Sequence, residues 1–237
     1  MATKRGRARG GSIRPMAAGE LNRWWRFGLP VVAPLVHLLF RLRVEGIEHV
    51  PLGGPAILVF NHVSTLDGPV LAIETSRRIR RETRFVVAAE FFERPFFGWI
   101  LRRFHQIPIR RGEGDTDALE HALAALKDGL LVAIAPEGTV NPDPPDLLRI
   151  RSGIARIALP TGAPVVPVGI WGTNRRWPKA GIHWGRPLRP TLAMVYGAPI
   201  LPVGNAGGDD LDAFIDRIHD RLEVQVREAK RLSGEPG

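Results

Sequence analysis

From residue 56 onward the chain alternates short apolar runs with longer amphipathic stretches. Short apolar runs are typical of buried strands, and the amphipathic stretches between them are typical of crossover helices. The pattern therefore predicts an α/β fold in which helices flank a largely parallel central sheet. The candidate strands are residues 56–60, 84–89, 106–109, 130–135, 165–170 and 191–196.

Apolar stripes predict two helices in this part of the chain. Between residues 117 and 127 the apolar side chains share one helical face, and Gly129 provides a stop. A second helix is predicted at 209–232, with acidic residues at its start and basic residues at its end, as the helix dipole favours. The Trp-, Pro- and Gly-rich residues 171–190 are predicted to form a long structured loop.

An apolar run at residues 24–40 precedes this pattern. It is shorter than the roughly 20 apolar residues that cross a bilayer, and it contains Arg26, His37 and two prolines. We therefore expect neither a single membrane span nor a cleavable signal peptide. Two interpretations stay open: a bent helix with its tryptophans at the lipid headgroups, or a helix packed on the domain core. We favour the first.

The chain is accordingly divided into a basic flexible tail (1–20), a membrane-contacting helical segment (21–42) and one large domain (43–237). The net charge is +9, from 33 basic and 24 acidic residues, and five of the basic residues precede Glu20. Such an excess indicates an anionic partner: nucleic acid, an acidic membrane surface, a phosphorylated substrate or an acidic carrier protein. A basic tail that is only solvated is the alternative.

Several kinds of site are excluded or disfavoured by composition. The chain has no cysteine, so disulfides, thiolate metal sites and cysteine nucleophiles are excluded. Its seven histidines are scattered, and no familiar nucleophile, phosphate-loop or zinc motif occurs. A structural metal site is therefore not expected.

The first candidate for catalysis follows the strand predicted at 56–60. Asn61 and His62 come directly after it, and Asp67 lies five positions beyond the histidine. In an open α/β sheet ligands bind where strands end, so His62 is a candidate general base whose imidazole a carboxylate orients. The alternative is that Asp67 only caps a helix that begins near it, since Pro69 is tolerated in a first helical turn. These residues alone leave both interpretations open.

Two more polar clusters follow other predicted strands. Arg111 lies just after the strand at 106–109, and the turn at 137–139 lies just after the strand at 130–135. A guanidinium together with the backbone and hydroxyl of a turn can bind a phosphate. Because parallel strands end at one edge of a sheet, the clusters are expected to meet there.

In order and spacing, four blocks of this sequence resemble those of the lysophospholipid acyltransferase family, with the closest likeness to 1-acylglycerol-3-phosphate acyltransferases. The blocks are Asn61-His62-x4-Asp67, the segment ending at Arg111, Pro136-Glu137-Gly138-Thr139, and Val166-Pro167-Val168-Gly169. The likeness covers about residues 40 to 200, and it implies that residues 43–237 form an acyltransferase domain.

The resemblance implies transfer of a fatty acyl group from acyl-CoA or acyl carrier protein to the free hydroxyl of lysophosphatidate, giving phosphatidate in phospholipid biosynthesis. His62 is then the general base, and Asp67 supports it. The residues that the resemblance assigns to the acceptor's glycerol phosphate are Arg111, Glu137, Gly138 and Thr139. Those that it assigns to the acyl-donor site, or to the wall beside it, are Val166, Pro167, Val168 and Gly169.

The resemblance also implies that no metal or prosthetic group is needed. From the basic tail and the Trp-rich apolar run we expect the protein to lie on the cytoplasmic side of an anionic membrane, as a peripheral or monotopic protein. Three positions depart from the family pattern: His105 replaces a glycine, Arg110 an acidic residue and Val140 an arginine. Because two of these affect the acceptor site, acylation of a different lysolipid or polar lipid is the main alternative. A thioesterase and a nucleic-acid-binding protein are weaker alternatives, and no nucleic-acid partner is expected.

Overall fold

The structure, a computed structural model, describes residues 20–110, 116–142, 144, 146–185, 187–203 and 209–235. Its helices are α1 Arg23–Leu39, α2 Asp67–Ile79, α3 Glu90–Glu93, α4 Pro95–Arg103, α5 Thr116–Lys127, α6 Gly153–Thr161 and α7 Asp209–Ser233. Its strands are β1 Arg41–Glu45, β2 Ala56–Phe60, β3 Thr83–Ala88, β4 Ile107–Ile109, β5 Leu131–Ile134, β6 Val165–Trp171 and β7 Thr191–Tyr196. Two 3-10 turns lie at Ile47–His49 and Thr173–Arg175.

The strands form one sheet in the order β1-β7-β6-β2-β5-β3-β4. The five strands from β6 to β4 in this order run parallel, whereas β7 is antiparallel to β6, and β1 is parallel to β7. The central strands β2 and β6 are apolar and buried throughout because helices cover both faces of the sheet. The predicted α/β class with a largely parallel sheet is confirmed.

The predicted strands at 56–60 and 191–196 match the observed strands to the residue. The pattern does not predict β1, whose residues alternate between exposed and partly buried positions at the edge of the sheet. It also does not predict α6, which begins at Gly153 and contains Pro160, two residues that usually mark helix ends. The short helices α3 and α4 are likewise absent from the sequence-based expectation.

Two hydrophobic cores lie on opposite faces of the sheet. On one face α5, α6 and α7 pack together, and the predicted stripe of α7 is buried there through Phe214, Ile218 and Leu222. On the other face α1 and α2 cover the sheet. This two-sided packing fixes the strands rigidly, so the loops at their ends are held at defined positions.

The first helix has two different faces. Trp25, Leu29 and Val36 are buried against the rest of the protein, whereas Phe27 and Val31 are exposed. One face of the helix therefore packs on the domain core, as the second interpretation expects. The opposite face is exposed, as contact with a membrane requires. No helix within the described residues has the length and apolarity required to cross a membrane. Residues 1–19 of the predicted basic tail lie outside the described residues.

Candidate active site

Two loops meet at the carboxyl edge of the parallel strands. The loop after β2 carries His62, and the turn after the neighbouring strand β5 carries Glu137. The backbone N–H of His62 donates to Glu137 Oε1 at 2.7 Å, and the N–H of Asn141 donates to the His62 carbonyl at 2.6 Å. The structure thus brings two of the predicted polar clusters together at one edge of the sheet.

His62 and Asp67 are in contact. The His62 Nδ1 atom lies 3.1 Å from Asp67 Oδ2, and the side chain of Asp67 is fully buried, whereas that of His62 remains 17% exposed. Because a carboxylate only accepts, Nδ1 carries a proton, and in the neutral imidazole Nε2 then has the lone pair. Nε2 makes no hydrogen bond to a described residue. The arrangement can take a proton from a hydroxyl group placed at Nε2.

Asp67 is the first residue of α2, yet its carboxylate does not cap that helix. Its Oδ2 atom accepts the backbone N–H groups of Val63 and Ser64, both at 2.7 Å. Its Oδ1 atom accepts the hydroxyl of Thr173 at 2.5 Å. The carboxylate is therefore directed back toward the loop that carries His62. Of the two interpretations left open by the sequence, the geometry favours orientation of His62 over helix capping.

Thr173 is a site residue that the sequence pattern does not reveal. It is fully buried in the 3-10 turn after β6, and it lies 106 residues beyond Asp67. The same segment holds the His62 loop through the Trp177 carbonyl, which accepts the Ser64 hydroxyl at 2.7 Å and the Thr65 N–H at 3.3 Å. In the sequence, Thr173 is marked only by its position, four residues after the fourth block ends at Gly169.

The carboxylate of Glu137 supports the His62 loop. Its second oxygen, Oε2, accepts the N–H of Leu148 at 3.2 Å, and the residue is only 3% exposed. Burial raises the pKa of Glu137 above its usual value, and the two backbone hydrogen bonds oppose that rise. Both oxygens thus bind backbone N–H groups of the protein, and the contact of Glu137 with the acceptor's phosphate stays a prediction.

A cavity of about 280 Å³ opens beside His62. Its walls are largely apolar, and the apolar residues are Val86, Ala88, Ile109, Ala118, Leu119, Ala122, Ile134, Ala135, Pro136, Ile154 and Ile157. Three arginines, Arg110, Arg151 and Arg156, also line it. An apolar wall together with guanidinium groups suits an amphiphile with a hydrocarbon chain and an anionic headgroup.

Arg151 lies against Gly138, another residue of the cavity lining. Gly138 has φ +71°, and a Cβ atom there would come within 2.8 Å of Arg151 Nε. The Arg151 side chain makes no hydrogen bond or ion pair with a described residue, so its guanidinium is free to meet an anion. Val140, which replaces the family's arginine, is not among the lining residues. Arg151 therefore provides positive charge beside His62 that the altered third block lacks.

The remaining predicted acceptor residues are less informative. Arg111 lies outside the described residues, so its contact with the acceptor stays a prediction. Thr139 is partly buried in the same turn as Gly138, and it is not among the lining residues of the cavity.

The fourth block packs the sheet. It forms part of β6 and is completely buried; its residues are Val166, Pro167, Val168 and Gly169. A Cβ atom on Gly169 would lie 2.1 Å from the carbonyl oxygen of Gln225 in α7, so this glycine lets the helix approach the strand. None of the four lines the described cavity. The role of this block in the acyl-donor site, or in the wall beside it, stays a prediction.

His105, the departure from a family glycine, lies far from the chemistry. It has φ +54°, a left-handed conformation that glycine adopts freely. Its Nδ1 atom lies 3.0 Å from Glu82 and 3.3 Å from Asn22, at the amino edge of β3 and β4. That edge is opposite to the one that carries His62, so this departure does not alter the cavity. Among the described residues no cluster of three or more histidine or carboxylate side chains is placed to hold a metal ion.

Known acyltransferases resemble this chain in sequence and in fold. A family model described as Acyltransferase matches residues 41–171. The chain is 30% identical over 146 residues to the chloroplastic 1-acyl-sn-glycerol-3-phosphate acyltransferase LPAT1 of Arabidopsis thaliana, a match that covers 60% of this chain and 39% of that protein. This chain thus spans about two fifths of the length of the plant relative.

Two further matches cover most of both chains. The lyso-ornithine lipid O-acyltransferase of Pseudomonas aeruginosa is 30% identical, over 97% of this chain and 83% of its own. The crystal structure of the 1-acyl-sn-glycerophosphate (LPA) acyltransferase PlsC from Thermotoga maritima superposes with a TM-score of 0.66 at 25% identity, covering 90% of this chain and 83% of that chain.

Proposed function

Because the chain belongs to the acyltransferase family, we propose that it transfers a fatty acyl group from a thioester to the free hydroxyl of lysophosphatidate, giving phosphatidate. The observation that carries the proposal is the His62 imidazole, oriented by Asp67, beside a cavity with an apolar wall and three arginines. The likeness to acyltransferases that act on 1-acylglycerol-3-phosphate supports this acceptor.

In the proposed reaction His62 is the general base. The acceptor's hydroxyl oxygen attacks the thioester carbonyl carbon while its proton passes to His62 Nε2. The carbon–sulfur bond then breaks, and the proton goes to the leaving thiolate, so an ester and a free thiol are formed. Asp67 stabilises the imidazolium that exists between the two proton transfers. Because the acceptor is itself the nucleophile, the mechanism requires no acyl-enzyme.

We propose that the apolar and the anionic parts of the substrates bind different residues of the cavity. Its apolar wall suits a fatty acyl chain, whereas Arg151 and Arg156 suit the phosphate of the acceptor. The proposed donor is acyl-CoA or acyl carrier protein, and the mechanism calls for no metal or prosthetic group.

A lipid acceptor also requires access to a membrane. We propose that the protein binds peripherally to an anionic membrane on its cytoplasmic side, with the exposed face of α1 contributing. The apolar side chains on that face and the basic Arg23 and Arg26 support this location.

The test is an assay of the purified protein with acyl-CoA and lysophosphatidate dispersed in detergent micelles, with phosphatidate and free thiol both measured. The wild type is expected to form both in equal amounts. His62→Ala is expected to lose at least about a thousandfold in turnover, since it removes the base. His121→Ala, which removes an exposed histidine on α5, is the matched control. Near wild-type turnover by His62→Ala would refute the mechanism, and thiol release without acceptor would indicate a thioesterase.

A second acceptor class is supported by two specific observations. Val140 replaces the family's arginine, and the relative named a lyso-ornithine lipid O-acyltransferase matches nearly the whole chain. The assay therefore compares lysophosphatidate with lyso-ornithine lipid and monoacylglycerol. If lysophosphatidate is the acceptor, Arg151→Ala lowers turnover of that lipid alone. If lyso-ornithine lipid is used faster by the wild type, the second acceptor is the correct one.

A further inference from the structure

Helix α4 exposes an unusual set of aromatic side chains. Phe96, Phe97 and Trp99 are 68%, 49% and 45% exposed, although large aromatic side chains are normally buried in a soluble domain. The three lie within four consecutive residues of a short helix, so they form one patch. The proposed chemistry at His62 does not use this patch.

The patch on α4 continues onto α1. The rings of Trp24 and Trp99 meet edge to face, with their centroids 5.2 Å apart. Beyond Trp24, α1 exposes further apolar side chains along its length, namely Phe27, Val31, Leu35 and Leu38. We call these four residues, together with Phe96, Phe97 and Trp99, the docking face.

The two helices that form the docking face carry only basic charge, whereas Glu93 of the neighbouring α3 is exposed. The two helices carry four arginines, Arg23, Arg26, Arg102 and Arg103, and no aspartate or glutamate. The Arg103 guanidinium lies over both Trp24 and Trp99, at 5.2 and 5.9 Å from the ring centroids. On these two helices the face is thus an apolar strip accompanied by arginines, which complements the headgroups and upper acyl chains of an anionic lipid layer.

The docking face also has a defined relation to the cavity. Helices α3 and α4 leave the sheet after Ala88 and return to it at Ile107. Ala88 and Ile109, at the ends of the two flanking strands, both line the cavity beside His62. Phe96 follows Ala88 by eight residues, four of which form α3, so the aromatic patch is joined to the cavity wall by one short helical connection.

We propose that α1 and α4 form a single docking face for an anionic bilayer, and that α4 holds the lipid surface beside the cavity so that an acceptor reaches His62 without leaving the membrane. The inference rests on the proposed function for the lipid acceptor and for membrane contact through α1. It differs from membrane contact through α1 alone because Phe96 and Phe97 are required. A second copy of this chain is the competing occupant, and it is disfavoured because the same row of arginines would face itself.

The experiment measures sedimentation of the full chain with vesicles of phosphatidylcholine, alone or mixed with phosphatidylglycerol. Phe96→Ser/Phe97→Ser is expected to lower the vesicle-bound to free ratio at least about tenfold, since two exposed aromatic anchors are lost. The matched control is Leu52→Ser/Leu201→Ser, which alters two residues of 77% and 64% exposure outside the face. Arg102→Gln/Arg103→Gln is expected to lower binding to the phosphatidylglycerol vesicles only, whereas Arg217→Gln/Arg221→Gln on α7 leaves it unchanged.

Activity separates this inference from the proposed function. The aromatic double variant is expected to keep wild-type turnover on acceptor dispersed in detergent micelles and to lose turnover on acceptor held in vesicles. If the wild type shows no acyl transfer in either format, the proposed function fails while the vesicle binding is still informative. The docking inference is overturned if the aromatic variant binds vesicles as well as its control does. It is equally overturned if the substitutions only convert a dimer to a monomer.

Discussion

Replacing Asp67 by asparagine removes one negative charge and keeps the shape of the side chain. Three donors face Oδ2, namely His62 Nδ1 and the N–H groups of Val63 and Ser64, whereas Oδ1 faces the Thr173 hydroxyl. An amide NH2 group turned toward three donors would have no acceptor, so the amide oxygen takes the Oδ2 position. The NH2 group then faces the Thr173 oxygen, which can accept. We therefore expect Asp67→Asn to fold and to keep His62 protonated on Nδ1.

The expected loss of rate then comes from the missing charge alone. The atoms His62 Nδ1 and Asp67 Oδ2 are 3.1 Å apart. Two unit charges about 4 Å apart are worth about 4 kcal/mol at an effective dielectric constant of about 20. Since each 1.4 kcal/mol is about tenfold in rate, kcat is expected to fall about a thousandfold. KM is expected to change little, because Asp67 does not line the cavity.

The rate is best followed by release of free thiol from acyl-CoA, since the protein contains no cysteine that would react with a thiol reagent. Thermal unfolding of the same samples checks the fold. Asp67→Ala is the contrasting variant: it leaves the buried donors without an acceptor and is expected to cost about 3 kcal/mol or more of stability. The reasoning is refuted if Asp67→Asn unfolds as readily as Asp67→Ala. It is also refuted if Asp67→Asn retains more than about a tenth of wild-type kcat.

Three further predictions follow from single contacts. Thr173→Val leaves the buried Oδ1 of Asp67 without its donor and is expected to cost about 1–3 kcal/mol of stability and to lower kcat. Thr173→Ser keeps the hydroxyl and is expected to retain both the stability and kcat. Urea unfolding measures the stability, and kcat is measured as a function of pH. The raised pKa of Glu137 contributes stability that is complete below its unfolded value of about 4.3 and is lost as pH rises through the folded value. The stability difference between the wild type and Glu137→Gln, measured by thermal unfolding, is therefore expected to shrink as pH rises through that range. His105→Val places a β-branched residue at positive φ and is expected to lower the melting temperature more than His105→Gly, while leaving kcat unchanged.

Helices and strands that bury a continuous apolar segment could be predicted from the sequence. Those without such a segment could not be predicted. The central strand at 56–60 is apolar at every position, so its pattern has one interpretation. The edge strand β1 mixes charged and apolar residues because one side of it is solvated, and its pattern is therefore weak. The sequence pattern does not predict helix α4 for a related reason. Its exposed face is aromatic, so it lacks the polar face by which amphipathic helices are identified.

The pairing of His62 with Asp67 could be anticipated because the two residues are close in sequence and belong to a recognisable block. Their buried partner Thr173 could not be anticipated, because it comes from a turn after a different strand. A single threonine also forms no sequence pattern that would indicate such a contact. The contacts of Glu137 could not be predicted for a different reason. A carboxylate in a polar turn suggests ligand binding, but its actual partners are backbone N–H groups, which every residue possesses.

Two buried carboxylates hold the His62 loop, and together they accept the backbone N–H groups of three successive residues. Glu137 accepts the N–H of His62 itself, and Asp67 accepts those of Val63 and Ser64 as well as the imidazole. Moving the backbone that carries the imidazole therefore requires breaking hydrogen bonds to both carboxylates, and rotating the ring requires breaking its bond to Asp67, so its orientation is fixed before a substrate arrives. Because Glu137 comes from β5 and Asp67 from α2, the position of the proposed base depends on the packing of the whole sheet edge. This explains why a short motif is insufficient for the site: the motif provides the imidazole and one carboxylate, and the fold provides the other.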